Sequence, residues 1–255
     1  MLIAGLNKTT LLDYPGCVAA TIFVGGCNFR CPFCHNGGLV LEPLSQQLYS
    51  EEEILSFLQK RKNVLKGVCI TGGEPTLQAD LPEFLLKVKE MGYRVKLDTN
   101  GFKPDVLEEL LGKKLLDYVA MDIKNCPEKY AVTAGLSTGE GWKQIHNSIK
   151  ILKAASIPYE FRTTVVKELH TKEDLIKIGE WIKGCFLYYL QQYQDNENIL
   201  CRIEQRDEEA QVLEETELKT DFEFFHGYAK EEMEQMAEAV RKVPGMTGEV
   251  ILRGI

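Results

Sequence analysis

Three cysteines, Cys27, Cys31 and Cys34, fall within eight positions of the stretch 24-VGGCNFRCPFCHNGG-38. Thiolates at C-x3-C-x2-C spacing can converge on one metal centre. A tetrahedral structural zinc site wants four ligands. His35 stands next to Cys34, but adjacent side chains rarely point at one ion, so it is set aside as a ligand. A disulfide between two of the three would be out of place in the cytosol. The spacing favours an iron–sulfur cluster, with zinc and unrelated thiols as the alternatives. Such a cluster usually takes four thiolates. With three, one iron is open to an outside ligand. An open coordination position marks a reactive site, by the logic that separates catalytic from structural zinc.

Later segments carry other polar groups suited to a charged ligand. In 71-TGGEPT-76, Gly72 and Gly73 let backbone approach a ligand closely, and Glu74 can accept hydrogen bonds from an ammonium. Asp98 of 98-DTNG-101 and Asp122 of 122-DIK-124 fall at the ends of neighbouring strands. Two carboxylates so placed repel unless a cation or a lysine lies with them. Arg162, Thr164, Gln191 and Gln192 stand in the next two strands. On residue type alone they read equally well as satisfied interior polar groups.

The elements that must position these residues alternate. Apolar β-branched runs at 18–26, 67–71, 93–99, 117–124, 159–166 and 186–193 read as strands, with a last short one, EVILR. Between them lie helical patterns. One opens on a Ser50–Glu53 capping box, one on Asp80, one on Pro104 and one on a Thr171–Asp174 cap, while 141–155 and about 230–243 show helical periodicity. Repeated β-then-α order implies a parallel sheet with right-handed crossovers. Six such units favour an incomplete parallel (β/α)6 TIM-like barrel over a doubly wound sheet. Either fold collects its functional residues at the C-terminal ends of the strands. The cysteine loop, TGGEPT, DTNG and DIK all follow strands.

The expected organisation is a single domain over 1–255 with a charged insertion at about 195–220, read as a solvated excursion. Cys17, Cys69, Cys126, Cys185 and Cys201 are scattered; Cys69 reads as a core thiol, and Cys126 lies just past Lys124. His146, His170 and His226 read as core or surface residues. A net charge of −8 argues against broad nucleic-acid binding. No apolar run approaches the roughly 20 residues that span a bilayer, and no signal peptide is read at the N-terminus. The expected location is the cytoplasm.

The cysteine spacing, with Phe33 before the last cysteine, resembles the signature of the radical S-adenosylmethionine superfamily. The resemblance implies a [4Fe–4S] cluster on Cys27, Cys31 and Cys34. Its open iron would bind the amino and carboxylate groups of the methionine part of S-adenosylmethionine. One electron from the reduced cluster would break the S–C5′ bond and leave a 5′-deoxyadenosyl radical that abstracts a hydrogen atom. TGGEPT is similar to the superfamily's GGE motif, which binds the methionine amino group. DTNG and DIK resemble the glycyl-radical activating enzymes. That likeness puts Asp98, Thr99 and Asp122 near a monovalent cation and Lys124 on the cofactor's carboxylate, with Phe33, Asn100, Arg162 and Gln192 also around the cofactor or substrate.

The opening KTTLLDYPGCVAATIFVGGCNFRCPFCHN, together with LQQYQ at 190–194, looks much like the longer form of the anaerobic ribonucleoside-triphosphate reductase activating proteins. This implies a glycyl-radical enzyme as protein substrate and a flavodoxin- or ferredoxin-type electron donor. The pyruvate formate-lyase activating enzyme has a histidine near the place of LQQYQ, which this chain lacks. A radical enzyme acting on a small molecule, such as a deazapurine precursor, is the alternative.

Overall fold

The computed structural model describes residues 1–137, 139–211 and 225–255. Eight strands form one sheet and follow each other in chain order. They are β1 (Ile3–Thr10), β2 (Ala19–Val24), β3 (Gly67–Gly72), β4 (Arg94–Thr99), β5 (Tyr118–Asp122), β6 (Tyr159–Val165), β7 (Leu187–Gln192) and β8 (Glu249–Arg253). The helices are α1 (Gly37–Leu41), α2 (Glu51–Arg61), α3 (Leu81–Glu90), α4 (Pro104–Gly112), α5 (Tyr130–Ala134), α6 (Trp142–Ala154), α7 (Lys172–Ile182), α8 (Leu200–Gln211) and α9 (Lys230–Arg241). The six expected strands are β2 to β7. The pairs β2–β3, β3–β4, β4–β5, β6–β7 and β7–β8 are parallel.

The sequence reading had no β1. This strand runs antiparallel to β2. Its segment Asn7–Lys8–Thr9 is exposed, so the polar run that masks it in the sequence is the solvated part of an edge strand. The capping boxes are as expected. Ser50 Oγ accepts from Glu53 N at 3.2 Å, and Glu53 Oε2 accepts from Ser50 N at 2.7 Å. Thr171 and Asp174 repeat the pattern at 3.3 and 2.8 Å. Asp80 precedes α3 without capping it; its carboxylate takes the Met1 ammonium instead.

The described chain forms two compact units. Met1–Asn28, Leu39–Asp122 and Lys143–Glu160 make the first, and Phe29–Gly38, Ile123–Trp142 and Phe161–Ile255 the second. In the first, β2 and β3 are buried on both faces for most of their length, as a parallel strand covered by helices should be. Ile54 and Leu58 of α2 and Phe84, Leu85 and Val88 of α3 join Ile22, Val68, Ile70, Val95 and Leu97 in its buried core. In the second, Gly179 of α7 lets Val240 and Val243 come within 3.2 Å of where a Cβ would stand, so α7 and α9 meet closely. Of the segment expected as an insertion, 200–211 is helical, and 212–220 lies outside the described residues.

Candidate active site

In the first unit the ends of β2 and β3 are locked together by backbone. Gly73 N donates to Val24 O at 2.7 Å and Glu74 N to Gly26 O at 2.8 Å. Gly72 has φ +114°, and a Cβ there would lie 2.5 Å from Val24 N and O. One at Gly73 would lie 2.0 Å from Gly26 O. Both glycines are therefore required by contact with the strand that leads into the cysteine loop.

Glu74 is fully buried. Its Oε1 accepts from Thr76 N at 3.0 Å, Thr76 Oγ1 at 2.5 Å and Thr99 Oγ1 at 2.7 Å, and Oε2 accepts from Asn100 N at 2.7 Å. Desolvation raises the carboxyl's pKa, and these donors oppose the rise. The side chain thus ties TGGEPT to DTNG. Asn100 extends the link: its Nδ2 donates to Asn28 Oδ1 at 2.9 Å and lies 3.9 Å from Cys27 Sγ. Asn28 Nδ2 is buried and, among the described residues, has no hydrogen-bond partner.

Asp98 is ion-paired with Lys96, two residues earlier in β4. Lys96 is 1% exposed. Asp122 closes β5 and is half-buried.

In the second unit Cys31 is buried and Cys34 half-buried, and Cys34 N donates to Cys31 O at 3.0 Å in a turn. The start of α8 docks on this turn. Leu200 N donates to Cys34 O at 2.9 Å and Cys201 N to Pro32 O at 3.1 Å. Ile199, Leu200 and Cys201 are buried, so the first part of the supposed excursion buttresses the cysteine loop. Phe33 packs edge-on against Phe225 and His170. His35 stacks on Tyr193 and bonds Gln194 O at 2.6 Å through Nε2.

Val166 N donates to His170 Nδ1 at 3.1 Å, and His170 Nε2 lies 2.7 Å from Lys124 O. This pattern suits the neutral ring with its proton on Nε2. It pins the backbone at Lys124, whose side chain is half-buried.

The register of β6, β7 and β8 sorts the remaining candidates. Arg162 pairs with Tyr189, which in turn pairs with Ile251, and Thr164 pairs with Gln191, which pairs with Arg253. These positions alternate with fully buried ones and so share one half-open face. Arg253 lies over the Tyr189 ring at 3.7 Å. Gln192 falls in the other row, opposite Val165, and its Nε2 donates to Tyr228 O at 2.6 Å. Cys17, Cys69, Cys126, Cys185 and Cys201 are all buried. Burial, with a hydrogen bond to Glu128, pushes the Cys126 thiol up to about 11, which makes it a poor thiolate at neutral pH.

The profile of the radical SAM superfamily matches residues 21–182. The chain belongs to the radical SAM superfamily. It is 38% identical over 198 residues to a protein of Methanocaldococcus jannaschii assigned provisionally as a glycyl-radical enzyme activating enzyme, covering 76% of this chain and 80% of the relative. Over 190 residues it is 29% identical to the pyruvate formate-lyase-activating enzyme of Clostridium pasteurianum, covering 71% and 76%. The fold superposes on Streptococcus suis SuiB bound to S-adenosylmethionine with a TM-score of 0.62 at 15% identity, covering 90% of this chain and 48% of that one. The chain therefore spans about half the length of SuiB.

A radical SAM enzyme uses a [4Fe–4S] cluster and S-adenosylmethionine. The donor set fits: Cys27, Cys31 and Cys34 offer three sulfur ligands of the kind that holds an iron–sulfur cluster, and, among the described residues, the orphaned Asn28 amide next to Cys27 is a donor that a bound group would satisfy. Among the described residues no three His, Cys, Asp or Glu side chains are already gathered around one point, so the fit rests on donor chemistry and on that orphaned amide. Sequence reasoning missed Lys96, Arg253 and the buttress at Leu200. Lys96 carried a faint signal, a lysine between the apolar residues Val95 and Leu97 of a short strand, both of which are buried. Arg253 carried none beyond its place at the end of EVILR.

Proposed function

We propose that this radical SAM enzyme generates a glycyl radical on a partner protein, with anaerobic ribonucleoside-triphosphate reductase as the partner. The observation that carries the reading is the 38% identity, across 80% of its length, to the glycyl-radical activating relative. The opening stretch and LQQYQ, similar to the reductase-activating proteins, support the finer partner. The proposed setting is the cytoplasm, with a flavodoxin- or ferredoxin-type protein as electron donor. Among the described residues no helix is long and apolar enough to cross a membrane.

When bound, the cluster and S-adenosylmethionine supply hydrogen-atom abstraction. The chain's residues hold and orient them. Cys27, Cys31 and Cys34 are the proposed cluster ligands. The backbone of Gly72, Gly73 and Glu74 is the proposed seat of the cofactor's amino group, since the Glu74 carboxylate already accepts four protein hydrogen bonds. Lys124, on a backbone pinned by His170, is proposed to pair with the cofactor's carboxylate. Phe33 stiffens the cysteine loop through its aromatic contacts. Arg162, Thr164, Gln191 and Arg253 form the proposed face toward ribose and substrate. Gln192, expected there, spends its amide on Tyr228.

The test is anaerobic incubation of the reduced, cluster-loaded chain with S-adenosylmethionine and the reductase. A glycyl-radical doublet on the reductase, seen by electron paramagnetic resonance and lost with Cys27→Ala, Cys31→Ala or Cys34→Ala, is expected. A radical-free reductase beside turnover of a deazapurine precursor would favour the small-molecule reading.

A further inference from the structure

The resemblance to activating enzymes leads one to expect a soluble monovalent cation beside Asp98. The first unit shows a different occupant. Register places Lys96 of β4 opposite Cys69 of β3 and Tyr118 of β5. Asp98, two residues on, shares the face of Lys96. The Lys96 ammonium donates to Asp98 Oδ1. It lies 3.8 Å from Cys69 Sγ and 5.9 Å from the centre of the Tyr118 ring. The side chain is 2% exposed and that of Asp98 is 14% exposed.

We propose that Lys96 is the resident counter-cation of Asp98, so that this enzyme needs no soluble monovalent ion there. An ammonium is a compact point charge with three donors. Here a carboxylate, a soft sulfur and an aromatic face surround it, the last attractive through its quadrupole. A lysine withdrawn from water to this degree is retained only when paired. A second monovalent cation at Asp98 would sit beside a positive charge already in place, with little water to screen the repulsion. The lysine is held by its own strand, so the charge is fixed before any ligand arrives and its ordering is not charged to binding. The inference rests on the proposed reading only in taking the Asp98 strand end to border the cofactor.

The experiment compares potassium chloride with choline chloride at equal ionic strength. It uses the cluster-loaded, full-length wild type, K96A and D98N. Two readouts are followed: the melting temperature without cofactor, and the Kd for S-adenosylmethionine by calorimetry. The wild type should show no saturable potassium effect on either. K96A, which leaves Asp98 without its ammonium, should acquire a saturable potassium dependence, with affinity changing about fivefold or more between the two salts. A saturable potassium effect in the wild type that D98N removes overturns the proposal. So does a folded K96A indifferent to potassium. Should K96A fail to fold, the wild type and D98N still decide. Absence of cofactor binding in both salts would count against the proposed function, while the melting temperatures still decide the cation question.

Discussion

Glu74 is fully buried, and its value to the site lies in the donors converging on it. Among the described residues, Oε2 accepts from Asn100 N alone. Glu74→Gln would place an amide NH2 or leave an unmatched donor at that point, because Gln offers one acceptor oxygen where Glu offers two. The expected cost is about 1–3 kcal/mol, the price of a buried donor left unsatisfied, read by urea unfolding of the metal-free chain. An unchanged midpoint would show that the link from TGGEPT to DTNG is not needed for stability. The motif residues themselves were legible in the sequence, since TGGEPT and DTNG each follow a strand. The direction of their bonding was not. Glycines that read as room for a ligand are required by the approach of Val24 and Gly26, and the carboxylate that read as a ligand acceptor faces Thr76, Thr99 and Asn100. Residue type gives bonding capacity, whereas only the packed strand ends show what consumes it. Lys96 was hidden for a related reason: a lysine in a strand usually marks its solvent face, and here it marks a buried ion pair.

Among the elements, the segment from β6 to α7 holds a pH-sensitive support. His170 is fully buried, and burial lowers its pKa below the usual histidine value, against the opposing effect of the Lys124 and Val166 backbone carbonyls that face its ring nitrogens. The neutral ring's contribution is fully present above the unfolded-state value of about 6.5 and is lost as pH falls toward the folded-state value. Stability should therefore fall below pH 6.5 by up to about 1.4 kcal/mol per pH unit. Urea melts of the metal-free chain between pH 5 and 8 measure the slope, and His170→Gln should flatten it. An equal slope in the variant would assign the acid sensitivity elsewhere. The parallel βα order was legible because each buried strand is a short apolar run ended by glycine or a polar residue. β1 escaped because its polar stretch at Asn7, Lys8 and Thr9 is solvated. The buttress at the start of α8 escaped because Leu200 and Cys201 are a short apolar interruption in a charged stretch, and their docking on Pro32 and Cys34 is made by backbone.

At the scale of the whole molecule, the family is set by the superfamily match over 21–182 and by relatives of comparable length. The cysteine spacing made it legible at once, because C-x3-C-x2-C brings three sulfur ligands close enough in sequence to converge on one metal centre. The protein substrate is the central proposal, and it has a direct test. The reductase is prepared with deuterium on its glycine α-carbons and incubated anaerobically with the reduced, cluster-loaded chain and S-adenosylmethionine. The 5′-deoxyadenosine formed is then weighed by mass spectrometry. Hydrogen abstraction from a partner glycine predicts one deuterium in that product, appearing together with the glycyl radical. Product that forms without deuterium, while the reductase stays diamagnetic, would contradict the account.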